Sequence, residues 1–426
     1  MRKPKFQTLT GMHDVLGEDQ RYFHKIYKVC ENIADFYSFD RIITPVVEQA
    51  ELFEKGTGVS TDIVQKEMYA FKTKGGDVVT LRPEGTPSIV RAYIEHGMSS
   101  LPQPIKLWYN GPFFRYERPQ AGRYRQFNQV GFEVLGEKSS VIDAQIIQIF
   151  YNILKELKIK DIIVEINTIG DFQCRPYYKK LLTSYLKNRE SMLCPNCRRR
   201  LKENPLRVLD CKEERCKKII SQAPQMIDHL CEECKKHFKE VLEFLDSTQL
   251  PYNLNPYLVR GLDYYTKTVF EIYENSKEGR EQGALSAGGR YDKLIKLLGG
   301  KDFPGCGGSL GIERIVNIMK DKEISLPIQN PPSVFFAQLG MMPRQKGLSL
   351  LEDFRKARIS VAEAFSKDSL KNQLRMADRL KVKYTLILGQ KEVFEDMIIL
   401  REMRTGKQET VNIDKIVDVV KKKLKK

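Results

Sequence analysis

Phe114-Arg115-Tyr116-Glu117-Arg118-Pro119, then Gly122-Arg123-Tyr124-Arg125-Gln126-Phe127, then Gln129-Val130-Gly131-Phe132-Glu133 form the stretch that governs the reading of the chain. Basic, acidic and aromatic side chains alternate closely on both sides of a Pro/Gly turn, as on two paired strands that carry a nucleotide pocket. Successive strand residues point to opposite faces. Arg115, Glu117, Gln129, Gly131 and Glu133 are therefore expected to line one face while Phe114, Phe127 and Phe132 pack elsewhere. A charged surface hairpin is the plainer reading. Four arginines between Arg115 and Arg125, set among Pro119, Gly122 and the carboxylates Glu117 and Glu133, favour a site that holds phosphate beside a polar substrate.

Further motifs stand before and after this stretch. Leu81-Arg82-Pro83-Glu84-Gly85-Thr86 precedes it; Arg260-Gly261-Leu262-Asp263-Tyr264-Tyr265-Thr266, Ser286-Ala287-Gly288-Gly289-Arg290-Tyr291-Asp292 and Gly311-Ile312-Glu313-Arg314 follow. Together they resemble the class II aminoacyl-tRNA synthetases in the form used by histidyl-tRNA synthetases, the opening stretch being similar to motif 2 and the last run to motif 3. The similarity covers almost the whole chain. It implies ATP-dependent ligation of L-histidine to histidine tRNA through a histidyl-adenylate, with release of AMP and pyrophosphate. The alternative is a synthetase-like, non-catalytic regulatory subunit of ATP phosphoribosyltransferase. Such paralogues typically lack the anticodon-binding domain and parts of the catalytic signatures, and this chain keeps both.

With 426 residues and 41% hydrophobic content the chain can fill the cores of two or three domains. The basic start has no apolar run behind it and no stretch approaches the length of a membrane span, so a cytoplasmic protein without a membrane partner is expected. The net charge of +16 is unevenly spread. Residues 331–426 hold 21 basic and 12 acidic residues, residues 172–249 hold 17 and 11, and the remainder is nearly balanced at 33 and 32. Basic charge confined to two modules outside the pocket points to a polyanion held at two places, with a plain solubility excess as the alternative.

The expected fold class is α+β: a largely antiparallel sheet with flanking helices, a small helical Cys-rich insertion and a C-terminal α/β domain. Residues 19–37 carry helical spacing, and Ile42–Val47 reads as a strand with Pro45 near an edge. This pair resembles class II motif 1, which implies a homodimer. Strands are expected at Val78–Arg82, Ile105–Gly111, Phe127–Leu135 and Val269–Ile272. The catalytic core is read as 1–171 with 250–326, the insertion as 172–249, and the proline-rich 327–331 as a linker. Residues 332–426 alternate strands and helices, at Val334–Ala337, 345–357, Ile359–Val361, 369–380, Tyr384–Gly389 and Met397–Leu400, before a lysine tail at Lys421–Lys426. This part resembles the anticodon-binding domain of class IIa synthetases.

Joining an amino acid to ATP brings a carboxylate onto the α-phosphorus, so catalysis is mostly positioning and neutralisation of phosphate charge. Arginine suits that task because its planar fork stays charged and holds oxyanions bidentately. By resemblance, Arg115 and Arg260 are the catalytic pair, holding the α-phosphate and the amino-acid carboxylate from opposite sides. Arg115, Glu117, Arg123 and Arg314 bind ATP, with Glu117 on the adenine amino group, Arg123 and Arg314 on the outer phosphates, and Mg2+ accompanying the triphosphate. A neutral imidazole has one donor and one acceptor nitrogen. The resemblance gives the donor to Glu133 and sets Tyr264 against the acceptor, counts Tyr265 with the histidine-binding residues, and gives the α-amino group to Glu84, Thr86 and Gln129. Arg118 and Gln120 are the candidates for the acceptor end of tRNA. Asn128, where the family commonly has histidine, and Gly308, where phenylalanine is frequent, depart from the pattern and bear on the packing of the pocket.

Nine cysteines without an export signal argue against a disulfide framework. Cys194-Pro-Asn-Cys197 and Cys231-Glu-Glu-Cys234 have the two-residue spacing of zinc ligands, separated by 33 residues. Those four are expected to hold a structural Zn2+, with Cys211 or Cys216 able to replace one of the outer pair. Reduced buried thiols are the alternative, as expected for Cys30, Cys174 and Cys306.

Overall fold

Val130, Phe132 and Val134 alternate with Gln129, Gly131 and Glu133 along the strand Gln126–Leu135, and the three apolar side chains pack into one core cluster. Ile146, Ile149, Phe150 and Ile153, at helical spacing on Ser140–Glu156, complete that cluster from above the sheet. Each such side chain contributes about 1.5–3 kcal/mol by leaving water. The computed structural model describes residues 5–425 apart from 121, 277–282, 327–331 and 367–368. The proposed 327–331 linker therefore lies outside the described residues.

Eight strands form the main sheet, in the order 40–41, 105–114, 126–135, 305–311, 286–290, 266–274, 162–168, 252–254. All neighbouring pairs are antiparallel except the two at the edges. A three-stranded sheet made from 47–49, 69–72 and 78–81 lies in the same compact unit, which runs from Met1 to Leu326. Ile42–Val47 is not one strand. Asp40–Arg41 pairs with Leu107–Trp108 in the main sheet, whereas Val47–Gln49 pairs with Val79–Leu81 in the small one. Pro45, which has no N–H to donate, sits in the crossover between the two.

The insertion is helical, as expected, with helices Arg175–Lys187, Pro195–Glu203, Glu214–Ile220 and Glu232–Ser247. It shares its core with the catalytic body: Leu182, Leu186, Leu201 and Ile219 belong to the same buried cluster as Tyr109, Tyr264 and Ile295.

The second unit, Pro327–Lys426, has a five-stranded sheet in the order 361–363, 334–338, 384–388, 397–402, 408–412. The first three are parallel and the last two antiparallel, a mixed α/β sheet. Its first helix starts four residues earlier than the spacing suggested, at Met341, and its last, Ile416–Leu424, takes in most of the lysine tail by burying Ile416 and Val420. Among the described residues no helix is long and apolar enough to cross a membrane.

Candidate active site

A cavity of about 700 Å³ opens over the main sheet. Arg115, Glu117, Arg123, Gln129, Arg260 and Arg314 line it, together with Glu84, Thr86, Tyr264 and Tyr265. Ten of the eleven residues expected to contact ATP or histidine thus meet in one place. They arrive from the loop that opens the helix Thr86–Glu95, the end of one strand, the turn after it, the middle of the next, the loop before Thr266–Glu274 and the helix Ile312–Asp321.

Each arginine is oriented by the fold. Arg115 donates from Nε to the Pro83 carbonyl at 2.9 Å and lies over the Phe127 ring, 5.4 Å from its centre. Phe127 therefore belongs to the cavity face, against expectation: it has the same parity as Gln129 and gives the guanidinium a surface to lie on. Arg260 is tied to Glu271, which also accepts from Tyr273. Among the described residues the buried Nε–H of Arg260 has no partner. Arg314 donates to the Ala284 carbonyl, and burial, reinforced by Arg123, pushes its guanidinium down to about 10. Glu117 stands 3.9 Å from Arg115 and 3.7 Å from Arg123, ion pairs too long to be hydrogen bonds.

At the other end two carboxyl groups are buried. Glu84 accepts from Thr57 Oγ1 at 2.6 Å and from Tyr264 Oη at 2.7 Å. Burial raises its affinity for a proton, opposed by those two bonds and by Arg115 and Arg260. Glu133 accepts from Thr86 Oγ1 at 2.8 Å and from Tyr291 Oη at 2.5 Å. Burial pushes its carboxyl up to about 8, against the pull of the same two donors and aided by Glu84. Gly307 permits this, since a Cβ there would lie 1.7 Å from Glu133 Oε2.

Two expected contacts are thereby rearranged. Glu133 does not line the cavity; it stands one layer behind Thr86, because a completely buried carboxylate needs donors and Thr86 and Tyr291 supply them. Tyr264, expected to face the imidazole, spends its hydroxyl on Glu84, and Tyr265 lies beside it, its ring tilted by 45° with ring centres 4.6 Å apart. Arg118 and Gln120 lie outside the cavity wall and are exposed, Gln120 closing a tight bridge with Arg123. Tyr109, Phe127, Glu271 and Tyr273 are cavity residues that motif spacing left hidden. Alternation along their strands was the available signal for Tyr109 and Phe127.

Both departures from the family pattern are accommodated locally. Asn128 donates from its backbone N–H and its amide to Glu313 at 2.8 Å each. Gly308 faces Gly288 across the sheet, and a Cβ would lie 2.7 Å from the Ala287 carbonyl, so a side chain there does not fit without a shift of backbone.

Seven of the nine cysteines fall into two groups, each with its ligand atoms within 4.8 Å of one another: Cys194, Cys197, Cys211 and Cys216, and Asp171, Cys174, Cys231 and Cys234. The expected set of Cys194, Cys197, Cys231 and Cys234 is corrected accordingly. Each two-residue pair opens a different helix, Pro195–Glu203 or Glu232–Ser247, and the packing of those helices separates the pairs. Cys211 and Cys216 together complete the first pair.

Comparison with known proteins agrees with this geometry. Residues 11–315 match the histidyl-tRNA synthetase family and residues 337–423 the anticodon binding domain. The chain is 43% identical to a histidine–tRNA ligase of Dehalococcoides mccartyi over 98% of its own length and 100% of the relative's. It is 44% identical to that of Aquifex aeolicus, over 96% and 99%. A crystal structure of apo S. aureus histidyl-tRNA synthetase superposes with a TM-score of 0.80 at 34% identity, covering 97% of this chain and 99% of that one. With its α+β catalytic body, the synthetase signatures around one cavity and a separate C-terminal sheet domain, the chain belongs to the histidyl-tRNA synthetase family.

Proposed function

We propose that the chain ligates L-histidine to histidine tRNA in two steps at this cavity, first forming histidyl-adenylate from histidine and ATP. The observation that carries the reading is the meeting of four arginines with a buried acidic pocket in a single cavity. Arg115 and Arg260 bring the histidine carboxylate onto the α-phosphorus and offset the charge that develops there. Arg123 and Arg314 take the outer phosphates that leave as pyrophosphate, and Glu117 takes the adenine amino group. Mg2+ bound with the triphosphate would supply charge neutralisation there, and the Glu271 carboxylate at the cavity wall, shared with Arg260 and Tyr273, is the hard oxygen donor that would help to hold it.

Glu84, with Thr86 and Gln129, receives the α-amino group, while Tyr264 fixes Glu84 in place. The imidazole N–H takes the position beside Glu133 that the Thr86 hydroxyl now holds, which leaves Thr86 to the amino group. Tyr265 donates to the second ring nitrogen. Arg118 and Gln120, exposed at the tip of the turn, meet the acceptor end of tRNA. The regulatory-subunit reading is not favoured, because the phosphate-holding arginines and the anticodon-binding domain are both present.

Exposed Phe36, Ile43 and Leu16, at 80%, 76% and 72% accessible, support a homodimer through the first helix and the segments on either side of it. Cys194, Cys197, Cys211 and Cys216 hold a structural Zn2+. The Sγ atoms of Cys194 and Cys211 are 3.9 Å apart, against about 3.8 Å for the edge of a tetrahedron with Zn–S bonds of about 2.3 Å. Cytoplasmic location completes the reading. The test is exchange of pyrophosphate into ATP across all amino acids: stimulation by histidine alone is expected, and folded protein without exchange would overturn the catalytic assignment.

A further inference from the structure

The second group, Asp171, Cys174, Cys231 and Cys234, lies at the base of the insertion, where the chain leaves the catalytic body and prepares to return. Asp171 and Cys174 immediately precede the helix Arg175–Lys187, and Cys231 and Cys234 open the helix Glu232–Ser247. Two i, i+3 pairs at two helix N-termini thus converge, with three thiols and one carboxylate within 4.8 Å of one another. Cys174 Sγ is 3.5 Å from Asp171 Oδ1. For Zn–S and Zn–O bonds of about 2.3 and 2.1 Å the corresponding tetrahedral edge is about 3.6 Å.

The surroundings suit an anionic metal cluster. The Asp171 N–H donates to Cys174 Sγ at 3.3 Å, as an outer hydrogen bond that steadies a thiolate would. Lys267, next to the group, and Arg175, directly after Cys174, offset the two negative charges left when three thiolates and a carboxylate surround a divalent ion. Gly170 has a left-handed φ of +60°, and a Cβ there would meet Cys174 Sγ at 2.6 Å. The turn leaves no room beyond the sulfur and the Met226 methyl, which a Cβ would meet at 2.1 Å. A single disulfide would use two of the thiols and leave the third with a buried carboxylate beside it, which is the costlier arrangement.

We infer that Asp171, Cys174, Cys231 and Cys234 form a second zinc centre, which fastens the beginning of the insertion to its end. Arg175 donates to the Tyr265 carbonyl at 2.6 Å, so the ion also braces the wall of the cavity. This inference is independent of the catalytic reading, because it is tested by metal content without any assay of activity.

The full chain is purified under reducing conditions without chelators and its zinc measured by mass spectrometry. Two ions per chain are expected, falling to one in Cys234→Ser and to one in Cys211→Ser. One ion in the unaltered chain, lost on Cys211→Ser and kept on Cys234→Ser, would overturn the second centre while leaving the first. Two ions that both survive Cys234→Ser and Cys174→Ser would also overturn it, as would a disulfide among Cys174, Cys231 and Cys234 in the freshly isolated protein. Should the variants fail to fold, zinc X-ray absorption on the unaltered chain decides. An average between three and four sulfurs with a light-atom ligand supports the pair of centres, and four sulfurs alone excludes the second.

Discussion

Arg260 is oriented before any substrate arrives, with Glu271 holding one end of its guanidinium and Tyr273 steadying Glu271, while its Nε–H is left for a ligand. Arg260→Ala should lower histidine-dependent pyrophosphate exchange by about 10²–10³-fold, as expected when a preorganised group loses the developing charge it was built for. The dimer and the unfolding midpoint should change little. Glu133 makes a different prediction, through pH. Its carboxyl is pushed up to about 8 by burial, so below that pH it holds a proton, and above it the full acceptor faces the imidazole N–H. The kcat/KM for histidine should therefore rise from pH about 7, pass its half-point near 8 and level off above about 9. In Glu133→Gln this rise should vanish, with histidine affinity falling about tenfold or more and the KM for ATP nearly unchanged. Most contact residues were legible because arginine, glycine and carboxylate sit at motif spacing. The hydroxyl partners were not, since Tyr291 reaches Glu133 from 158 positions away and no local pattern encodes that distance.

At the level of elements, strands with strict alternation, such as Gln126–Leu135, were readable, whereas Ile42–Val47 misled because its apolar and β-branched composition reads as a strand, yet only Val47 joins one and Ile42–Val46 cross from the main sheet to the small one. The grouping of the cysteines was hidden for a related reason: identical spacings open different helices, and only helix packing decides which thiols meet. Packing also explains the role of Arg290, inside a signature but fully buried, where it binds Asp143 through Nε and Nη2 and joins the strand Ser286–Arg290 to the helix Ser140–Glu156. Burial alone would raise the Asp143 carboxyl; Arg290 and His237 override it and hold the group well below the usual carboxylate range. Its stabilisation is thus complete at neutral pH, begins to decline below about 4, where the unfolded carboxyl takes up a proton, and is lost as pH falls through the much lower folded value. Asp143→Ala should destabilise the chain by about 3–5 kcal/mol in urea unfolding, because a buried guanidinium is left unpaired. Asp143→Leu combined with Arg290→Met should recover most of that loss.

For the whole molecule, charge and chemistry are divided between two units. All the proposed ATP and histidine ligands lie before Leu326, while residues 331–426 carry an excess of nine positive charges. A chain ending at Leu326 should keep histidine-dependent exchange within about tenfold of the full chain, yet bind histidine tRNA far more weakly, with reduced salt dependence in filter binding. Unchanged tRNA affinity would remove anticodon recognition from the second unit. The order of strands has a consequence for synthesis as well. Gln126–Leu135, the floor of the cavity, lies between Ile105–Phe114, already made, and Gly305–Gly311, which leaves the ribosome almost two hundred residues later. Until then one edge of the floor has no partner, and Arg314 does not yet exist. A nascent chain can collapse around its early helices, but it acquires the ability to grip ATP only when the last strand of the sheet slides into the gap, so binding competence marks the completion of the catalytic body.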